Sequence, residues 1–579
     1  MHTHDDLKTH FNFEIGVSGY FHDSSVALFQ NGILIDFIKE EDILRIKGAS
    51  GFPFKALEYL RDQYKLTNQN IKSVCFYEKP LKSWLYILKY ILQKNTVSYG
   101  FLKKHLQNFW DGPLSFQRNF CSIIKLDRSK IFYSDHHASH IMSALPFLDN
   151  FSRSTKSLNF TFDAFGDGLS STVSIFDQGK LNLIHSNEFP NSLGLFYSTF
   201  TQFCGFLPNE GEYKLMALAG YGQPIYLDFI LDELMKVDGP NYKLNLDYFS
   251  FDTDDTQYFS AKFSDKFRTL SGSDFHDSTI ADNNLKHFAD IASSAQAALE
   301  YAMTESIKWA IKATGIQDIT ISGGVAQNCL AVSKIASANG IRSIIVPPSP
   351  GDSGAAIGAV NYVRLINGDT IEPIDALAFG AVADQFLPSE DLFDLVTESG
   401  FIREAATLID QGEIISIFDG RRELGPRALG YRSIICDAGN GEVISKLNTM
   451  IKKREQFRPL APAALAENAD RLFDIDPKLR KNLNWMGAVC YAKPDFEERY
   501  RFARHIDNSA RLQIISDDSG LIYKVAQKTQ TKLLINTSFN IASDPIVFDY
   551  IDVFVNMTRM DLKYLLTPRG LFSIKPLEL

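Results

Sequence analysis

His136 and His140 stand four residues apart in Asp135-His-His-Ala-Ser-His140. On a helix that spacing puts both imidazoles on one face, where they can hold a single metal ion. Two carboxylates in expected turns are the candidates to complete the ligand set: Asp163 in Asp163-Ala-Phe-Gly-Asp-Gly168 and Asp352 in Pro348-Ser-Pro-Gly-Asp-Ser-Gly354. Imidazole with hard oxygen suits iron, manganese or zinc, and spacing alone does not choose among them. Two packed core histidines are the competing explanation.

His22 and Asp23 lie in the polar turn Phe21-His-Asp-Ser-Ser25, where an imidazole can act as a general base or contact a phosphate. A hydrogen-bonded turn would account for the same residues. Gly323 and Gly324, in Ser322-Gly-Gly-Val-Ala-Gln-Asn328, follow an apolar run and let backbone amides approach a phosphate or an adenine closely. Neither they nor Pro350-Gly-Asp-Ser-Gly354 have the spacing of a Walker or Rossmann loop. Cations gather between Gly420 and Ser433 (Arg421, Arg422, Arg427 and Arg432) and between Lys452 and Pro462 (Lys452, Lys453, Arg454 and Arg458). Guanidinium forks and lysine charges mixed with Gly and Pro suit a site for several phosphates; ion pairs with Glu423 and Glu455 are the alternative. In Gly211-Glu-Tyr-Lys-Leu-Met216, read as part of a helix, Glu212 and Lys214 are the residues that can point into a cleft. The stretch Lys82–Lys104 carries Trp84, Leu88, Ile91 and Leu92 at helical spacing, a pattern of packing and sometimes of a membrane or partner surface, and is assigned no function.

The elements that must position these groups are α/β. Phe13–Val17, Val26–Phe29 and Ile33–Ile38, with Asn31-Gly32 between the last two, read as strands joined by a hairpin. A weaker copy follows in Leu158–Phe162, Ser171–Phe176 and Leu181–Ile184, so the first half looks duplicated. A long helix is expected over Leu285–Thr314. Residues 1–366 are expected to form one domain, 367–385 a turn-rich linker, and 386–579 a second domain with strands at Ile414–Phe418, Ser433–Cys436, Gly487–Tyr491, Arg511–Ile515 and Lys532–Ile535.

At 579 residues with 45% hydrophobic and 22% charged residues the composition is globular, and the length calls for more than one core. A net charge of −10 disfavours a nucleic-acid partner. Six scattered cysteines without a CxxC pair suggest neither a zinc finger nor a disulfide framework. No signal peptide or membrane span is read, and a cytoplasmic location is expected.

Taken together, the segments resemble the carbamoyltransferases of the NodU/CmcH type, which carbamoylate hydroxyls of nodulation factors, antibiotics and other natural products. The signatures occur in family order: Phe21-His-Asp-Ser-Ser25, His136-His-Ala-Ser-His140, Gly211-Glu-Tyr-Lys-Leu-Met216, Gly323-Gly-Val-Ala-Gln-Asn328, Gly425-Pro-Arg-Ala-Leu-Gly430, Lys452-Lys-Arg-Glu-Gln-Phe-Arg-Pro459 and Asn536-Thr-Ser-Phe-Asn540. Leu218-Ala-Gly-Tyr-Gly222 lacks the proline usual there, and Ser543-Asp-Pro-Ile-Val547 replaces the usual Gly-Glu-Pro-Ile-Val.

The resemblance implies a duplicated actin/Hsp70-like (ASKHA) N-terminal domain and a YrdC-like C-terminal α/β domain related to threonylcarbamoyl-adenylate synthases. It implies that ATP with Mg2+ and carbamoyl phosphate give carbamoyl-adenylate in the second, and that the carbamoyl group passes to a hydroxyl of a small-molecule or glycan acceptor in the first. By motif match, Lys452, Arg454, Arg427, Arg511, Ser538 and Asn536, with Gly323, Gly324 and Asn328, would bind nucleotide and substrate. His136, His140, Asp163 and Asp352 would hold a divalent metal, Fe2+ first, with Mn2+ or Zn2+ as alternatives. His22 would be the base toward the acceptor, with Asp23, Glu212 and Lys214 orienting. A homodimer is one expectation for its assembly. The alternatives are an actin-fold kinase or ATPase and a non-catalytic nucleotide-sensing protein.

Overall fold

The computed structural model describes residues 12–94, 97–271, 285–338, 340–382, 388–452, 460–541 and 544–575. Strand β1 (Phe13–Ser18) is buried along its whole length, as a central strand covered on both faces must be. It pairs antiparallel with β2 (Ser25–Gln30), which turns into β3 (Ile33–Lys39) through Asn31 and Gly32, at φ of 53° and 87°, the left-handed pair a tight hairpin requires. On its other side β1 runs parallel to β4 (Ile71–Phe76), and β4 to β5 (Ile131–Tyr133), giving the order β3-β2-β1-β4-β5.

The second sheet repeats this order and these senses. Strand β6 (Ser157–Gly166) is antiparallel to β7 (Leu169–Asp177), which pairs with β8 (Lys180–Glu188). Parallel to β6 runs β9 (Asp318–Ser322), followed by β10 (Ser343–Ile345). The expected strands of both sheets are present. One boundary differs: the turn expected over Asp163–Gly168 is mostly strand. β6 continues to Gly166 past a register irregularity, and only Asp167 and Gly168 turn, at positive φ.

Four helices bear on the site. Helices α1 (Pro80–Leu92) and α2 (Tyr99–Asp111) follow β4; α3 (His136–Ala144) follows β5, and α4 (Asp352–Asn367) follows β10. α3 and α4 cross in close contact: a Cβ on Gly358 would stand 1.6 Å from the Ser139 carbonyl oxygen. α4 lies as tightly on the first sheet, since a Cβ on Gly16 would meet the Ala356 carbonyl at 1.8 Å. The expected long helix spans Leu285–Thr314.

The C-terminal region is built on an eight-stranded mixed sheet. Its strands are β11 (Phe393–Thr397), β12 (Ile415–Phe418), β13 (Arg432–Asp437), β14 (Pro462–Leu465), β15 (Gln513–Ile515), β16 (Leu534–Ser538), β17 (Tyr564–Thr567) and β18 (Gly570–Ile574). They are ordered β11-β18-β17-β12-β13-β16-β14-β15. The strand expected at Gly487–Tyr491 is confined to Cys490–Ala492. In the linker expected over 367–385, α4 ends at Asn367, Ile374 is buried, and Ala378–Phe379 pairs with Arg422–Glu423. Residues 383–385 lie outside the described residues. Buried Arg422 pairs with Asp36 of β3, and Arg432 with Glu423 and, at 3.5 Å, Asp42. Arg422–Asp36 and Arg432–Asp42 thus join the C-terminal region to the first sheet and its following helix, and removing one partner of such a buried pair costs about 3–5 kcal/mol because it leaves a charge unpaired.

Candidate active site and metal centre

The carboxyl ends of the parallel strands converge, which is where open α/β sheets carry their sites. β1 leads to His22, β4 to Tyr77 and Glu78, β5 to His136, β9 to Gly323, and β10 to Asp352. Asp163 sits on β6, just beyond the regular pairing. The i, i+4 histidines fall on one face of α3. His136 Nε2 and His140 Nε2 lie 3.1 Å apart, 3.0 and 2.9 Å from Asp163 Oδ2, and 3.8 and 3.3 Å from Asp352 Oδ1. All four side chains are buried and their ligand atoms lie within 4.8 Å of one another.

This donor set fits one divalent cation. Ligands at about 2.0–2.2 Å from a metal stand roughly 3.0–3.5 Å from each other, close to the spacings found. His140 Nδ1 faces the Pro350 carbonyl at 3.1 Å; a proton donated there leaves Nε2 as the lone-pair donor. His136 Nδ1 has no partner. Asp163 Oδ1 accepts from the amides of Ala164 (2.8 Å) and Gly324 (3.3 Å), which leaves Oδ2 to the histidines. A Cβ at Gly166 would stand 2.0 Å from the His136 ring, so glycine is needed there to seat the imidazole.

Burial alone would depress the His140 imidazole, but hydrogen bonds to Asp163 and Asp352 overturn it and push its pKa up to about 10. Burial likewise opposes ionisation of Asp163, yet the two histidines hold it well below the usual carboxylate range. The cluster therefore draws positive charge, carried by protons or by a cation. His22 faces the same field. Burial lowers it, but Asp23, hydrogen-bonded at 2.9 Å, with Asp352 and Asp163 further off, raises it to about 9. Glu78, unmarked by any motif, is buried beside the cluster, and burial with Asp167 and Asp352 lifts its carboxyl to about 8 against the attraction of His136. Its only sequence signal is its place just after an apolar strand.

A cavity of about 1000 Å³ opens onto this cluster and continues into the C-terminal region. Its wall includes His22, Asp23, Asp163, Glu212, Gly324, Asn328 and Asp352 from the N-terminal region and Arg427, Arg511, Asn536 and Ser538 from the C-terminal region. Gly425, at φ of 110°, makes the junction tight: a Cβ there would stand 2.2 Å from the Pro348 carbonyl, just ahead of the Asp352 loop.

Several expected residues do other work. Glu212 is anchored by Ser198 (2.6 Å) and the Asn209 amide (2.8 Å). Lys214 is not in the cavity wall; its ammonium lies over the Phe206 ring at 5.6 Å. Asn328 caps the helix Cys329–Ala336 and pairs with Gln296, although it reaches the wall. Gly323, at φ of 88°, packs against the Phe162 backbone, where a Cβ would lie 2.2 Å from its oxygen. Of the four cations between Gly420 and Ser433, Arg421 pairs with Asp419, Arg422 with Asp36 and Arg432 with Glu423; Arg427 reaches the cavity. Lys452 is fully buried and lies behind the wall, donating to the Ser538 carbonyl (2.7 Å), to Asn540 Oδ1 (3.0 Å) and to the Asn540 carbonyl. It holds the loop that faces the cavity and does not itself line it. Asn536 donates to the Ala428 carbonyl and to Gln513, and its Oδ1 has no partner. Arg454 lies outside the described residues.

Comparison with known proteins bears on both ends of the cavity. The sequence model of the carbamoyltransferase N-terminus matches residues 14–361, and that of the carbamoyltransferase C-terminus matches residues 406–573. The chain is 26% identical to nodulation protein NolNO of Sinorhizobium fredii, over 96% of this chain and 79% of that one. It is 29% identical to nodulation protein NolO of Bradyrhizobium diazoefficiens, over 77% and 80%. Among solved structures, full-length HypF aligns over 30% of this chain and 25% of its own at 16% identity, with a TM-score of 0.24, an overlap too small to support a fold assignment. The two sequence models, matched in order across most of the chain, settle what the geometry left open: the chain belongs to the carbamoyltransferase family, of the NodU/CmcH type, and is an enzyme.

Proposed function

We propose that the protein is an ATP-dependent O-carbamoyltransferase that makes carbamoyl-adenylate at the Arg511 end of its cavity and spends it at the His–Asp end. The observation that carries this is the single cavity lined by both residue sets. A carbamoyl-adenylate is prone to hydrolysis, and a cavity shared by both residue sets lets it be used without release to bulk water. In the first step water takes the phosphoryl group of carbamoyl phosphate, releasing phosphate and carbamate. The carbamate oxygen then attacks the α-phosphorus of ATP with Mg2+, and pyrophosphate leaves. In the second step the acceptor hydroxyl adds to the carbamoyl carbon and AMP leaves. Arg427 and Arg511 supply guanidinium charge for the phosphates; Lys452 sets the Ser538–Asn540 loop that faces them. His136, His140, Asp163 and Asp352 would hold a divalent cation, which when bound would supply positive charge for the oxygen that becomes negative as the hydroxyl adds. His22 lines the same cavity and is the group placed to take the hydroxyl proton; Asp23 is the main group that raises it, and a cation on Asp352 and Asp163 would remove the smaller part of that effect.

We also read the two sheets of matching order as a duplicated actin/Hsp70-like domain, over about residues 1–366, and the eight-stranded sheet as YrdC-like. A kinase or ATPase of the actin-like fold would leave Arg427 and Arg511 in the shared cavity without a role. Purified protein given ATP, magnesium and carbamoyl phosphate should release pyrophosphate only when all three are present, with carbamoyl-AMP detectable by mass. Phosphate release from ATP alone would refute the proposal.

A further inference from the structure

The helical hairpin α1–α2 forms one wall of the cavity, with Trp84, Ile87, Phe101 and His105 facing inward. Trp84 stacks on His105 at 5.4 Å between ring centroids, tying the two helices together. The outer faces are unlike an ordinary helix surface. On α1, Leu81, Leu85 and Leu92 are 56, 49 and 77% exposed, and with half-buried Leu88 they form an i, i+4, i+7, i+11 stripe. On α2 the same spacing is filled by Tyr99, Lys103, Leu106 and Trp110, with Tyr99, Leu106 and Trp110 80, 47 and 68% exposed. Contiguous exposed apolar faces of this kind mark an interaction surface. Charge selects the occupant. From Lys79 to Asp111 the sequence holds six lysines and one acid, the terminal Asp111, which faces Arg118 at 3.8 Å, in a chain whose net charge is −10. Lys79 and Lys94 pair with Asp135 and Asp252 behind the hairpin, and exposed Lys82 lies 3.8 Å from Asp135, while Lys89 and Lys103 are exposed beside the apolar stripes.

We propose that this hairpin docks the protein on an anionic membrane surface, lying in the headgroup plane with its leucine and aromatic stripes buried and its lysines on lipid phosphates. Amphipathic helices with leucine and tryptophan on one face and lysine at its border bind bilayers in this way without crossing them, and no described helix is long and apolar enough to span one. Docking there sets the wall of the cavity that holds the His–Asp cluster against the lipid headgroups, so the surface favours a hydroxylated acceptor carried on a lipid. That last step rests on the carbamoyl-transfer proposal; the docking itself does not.

The test is sedimentation of the full chain with vesicles of phosphatidylcholine alone and of phosphatidylcholine mixed with phosphatidylglycerol, without nucleotide or carbamoyl phosphate. The expected result is binding to the mixed vesicles that weakens with added salt, with little binding to phosphatidylcholine. Leu85→Glu with Leu92→Glu should lower it about tenfold or more, while pyrophosphate formation and the melting temperature stay unchanged. Lys89→Glu with Lys103→Glu should remove the preference for phosphatidylglycerol. No binding by protein that melts cooperatively, equal binding to both vesicles, or full binding by the leucine variant would overturn the proposal. So would a dimer in light scattering that the leucine variant converts to monomer, because the stripe would then belong to a second copy.

Discussion

Gly358 offers a way to reach the metal centre without touching a ligand. It lies where α4 crosses α3, and a Cβ there would stand 1.6 Å from the Ser139 carbonyl oxygen and 2.8 Å from the Ser143 amide nitrogen. Carbon–oxygen contacts do not close below about 3.3 Å, so Gly358→Ala must part the helices by about 1.7 Å. α3 carries both histidines, and Asp352 opens α4. His140 Nε2 and Asp352 Oδ1, now 3.3 Å apart, would separate to about 5 Å, beyond what one cation with ligands at about 2.1 Å can bridge. Asp163 belongs to β6, against which α3 also packs through Thr161 and the His137 carbonyl, and should stay with the histidines. Gly358→Ala should therefore keep three ligands and lose the fourth. Divalent-metal affinity should fall about 10- to 100-fold, and stability by about 1–3 kcal/mol for the overpacked crossing. A chelator-competition titration reads the affinity, and thermal melting of the metal-free protein reads the stability. Pyrophosphate formation should fall less than metal affinity in the variant, because Arg427, Arg511 and the Ser538–Asn540 loop belong to neither helix. A folded Gly358→Ala protein with wild-type metal affinity would refute the claim that helix packing sets the ligand geometry.

Asp163→Asn should reduce metal affinity by at least about 100-fold, since it removes the carboxylate nearest both histidines, and should abolish acceptor carbamoylation while pyrophosphate release continues; loss of both activities together would count against separate sites. Burial raises Glu78 to about 8, so between its ordinary value and that point the folded chain holds a proton the unfolded chain has released. Stability of metal-free protein should fall as pH rises through this window, by up to about 1.4 kcal/mol per pH unit from this group, and Glu78→Gln should flatten the dependence of melting temperature on pH. Arg511→Ala should slow carbamoyl-dependent pyrophosphate release about 100-fold or more and leave metal binding intact, as measured by the same chelator titration.

The strand pattern was legible because hydrophobic alternation and the Asn31-Gly32 turn are local signals, each set by a few neighbouring residues. The histidine pair was legible for the same reason: four residues along a helix is a local distance. The end of β6 was not, because Asp163-Ala-Phe-Gly-Asp-Gly168 has turn composition, whereas its backbone is held extended by packing around His136 and Gly324. Charge was the least legible. Arg421, Arg422, Arg427 and Arg432 read as one cluster along the chain, yet three are held by partners that include Asp36 and Asp419, and one turns to the cavity. Nothing in a linear cluster tells a guanidinium buried against a carboxylate of another strand from one that lines a cavity.

The sequence by itself determined the family and the α/β elements, and it offered two histidines and two carboxylates as candidate partners for one another. Only the tertiary structure decided that two helices from different halves of the chain, crossing at Gly358, and the end of β6 bring these four groups within 4.8 Å. Tertiary packing also decided that Lys452 supports a loop from behind the cavity wall and that Glu78 is raised by burial. It joined both ends of the chain around a single cavity. Those outcomes depend on contacts between residues far apart in sequence, for which close packing, burial and charge pairing carry the information and local residue order does not.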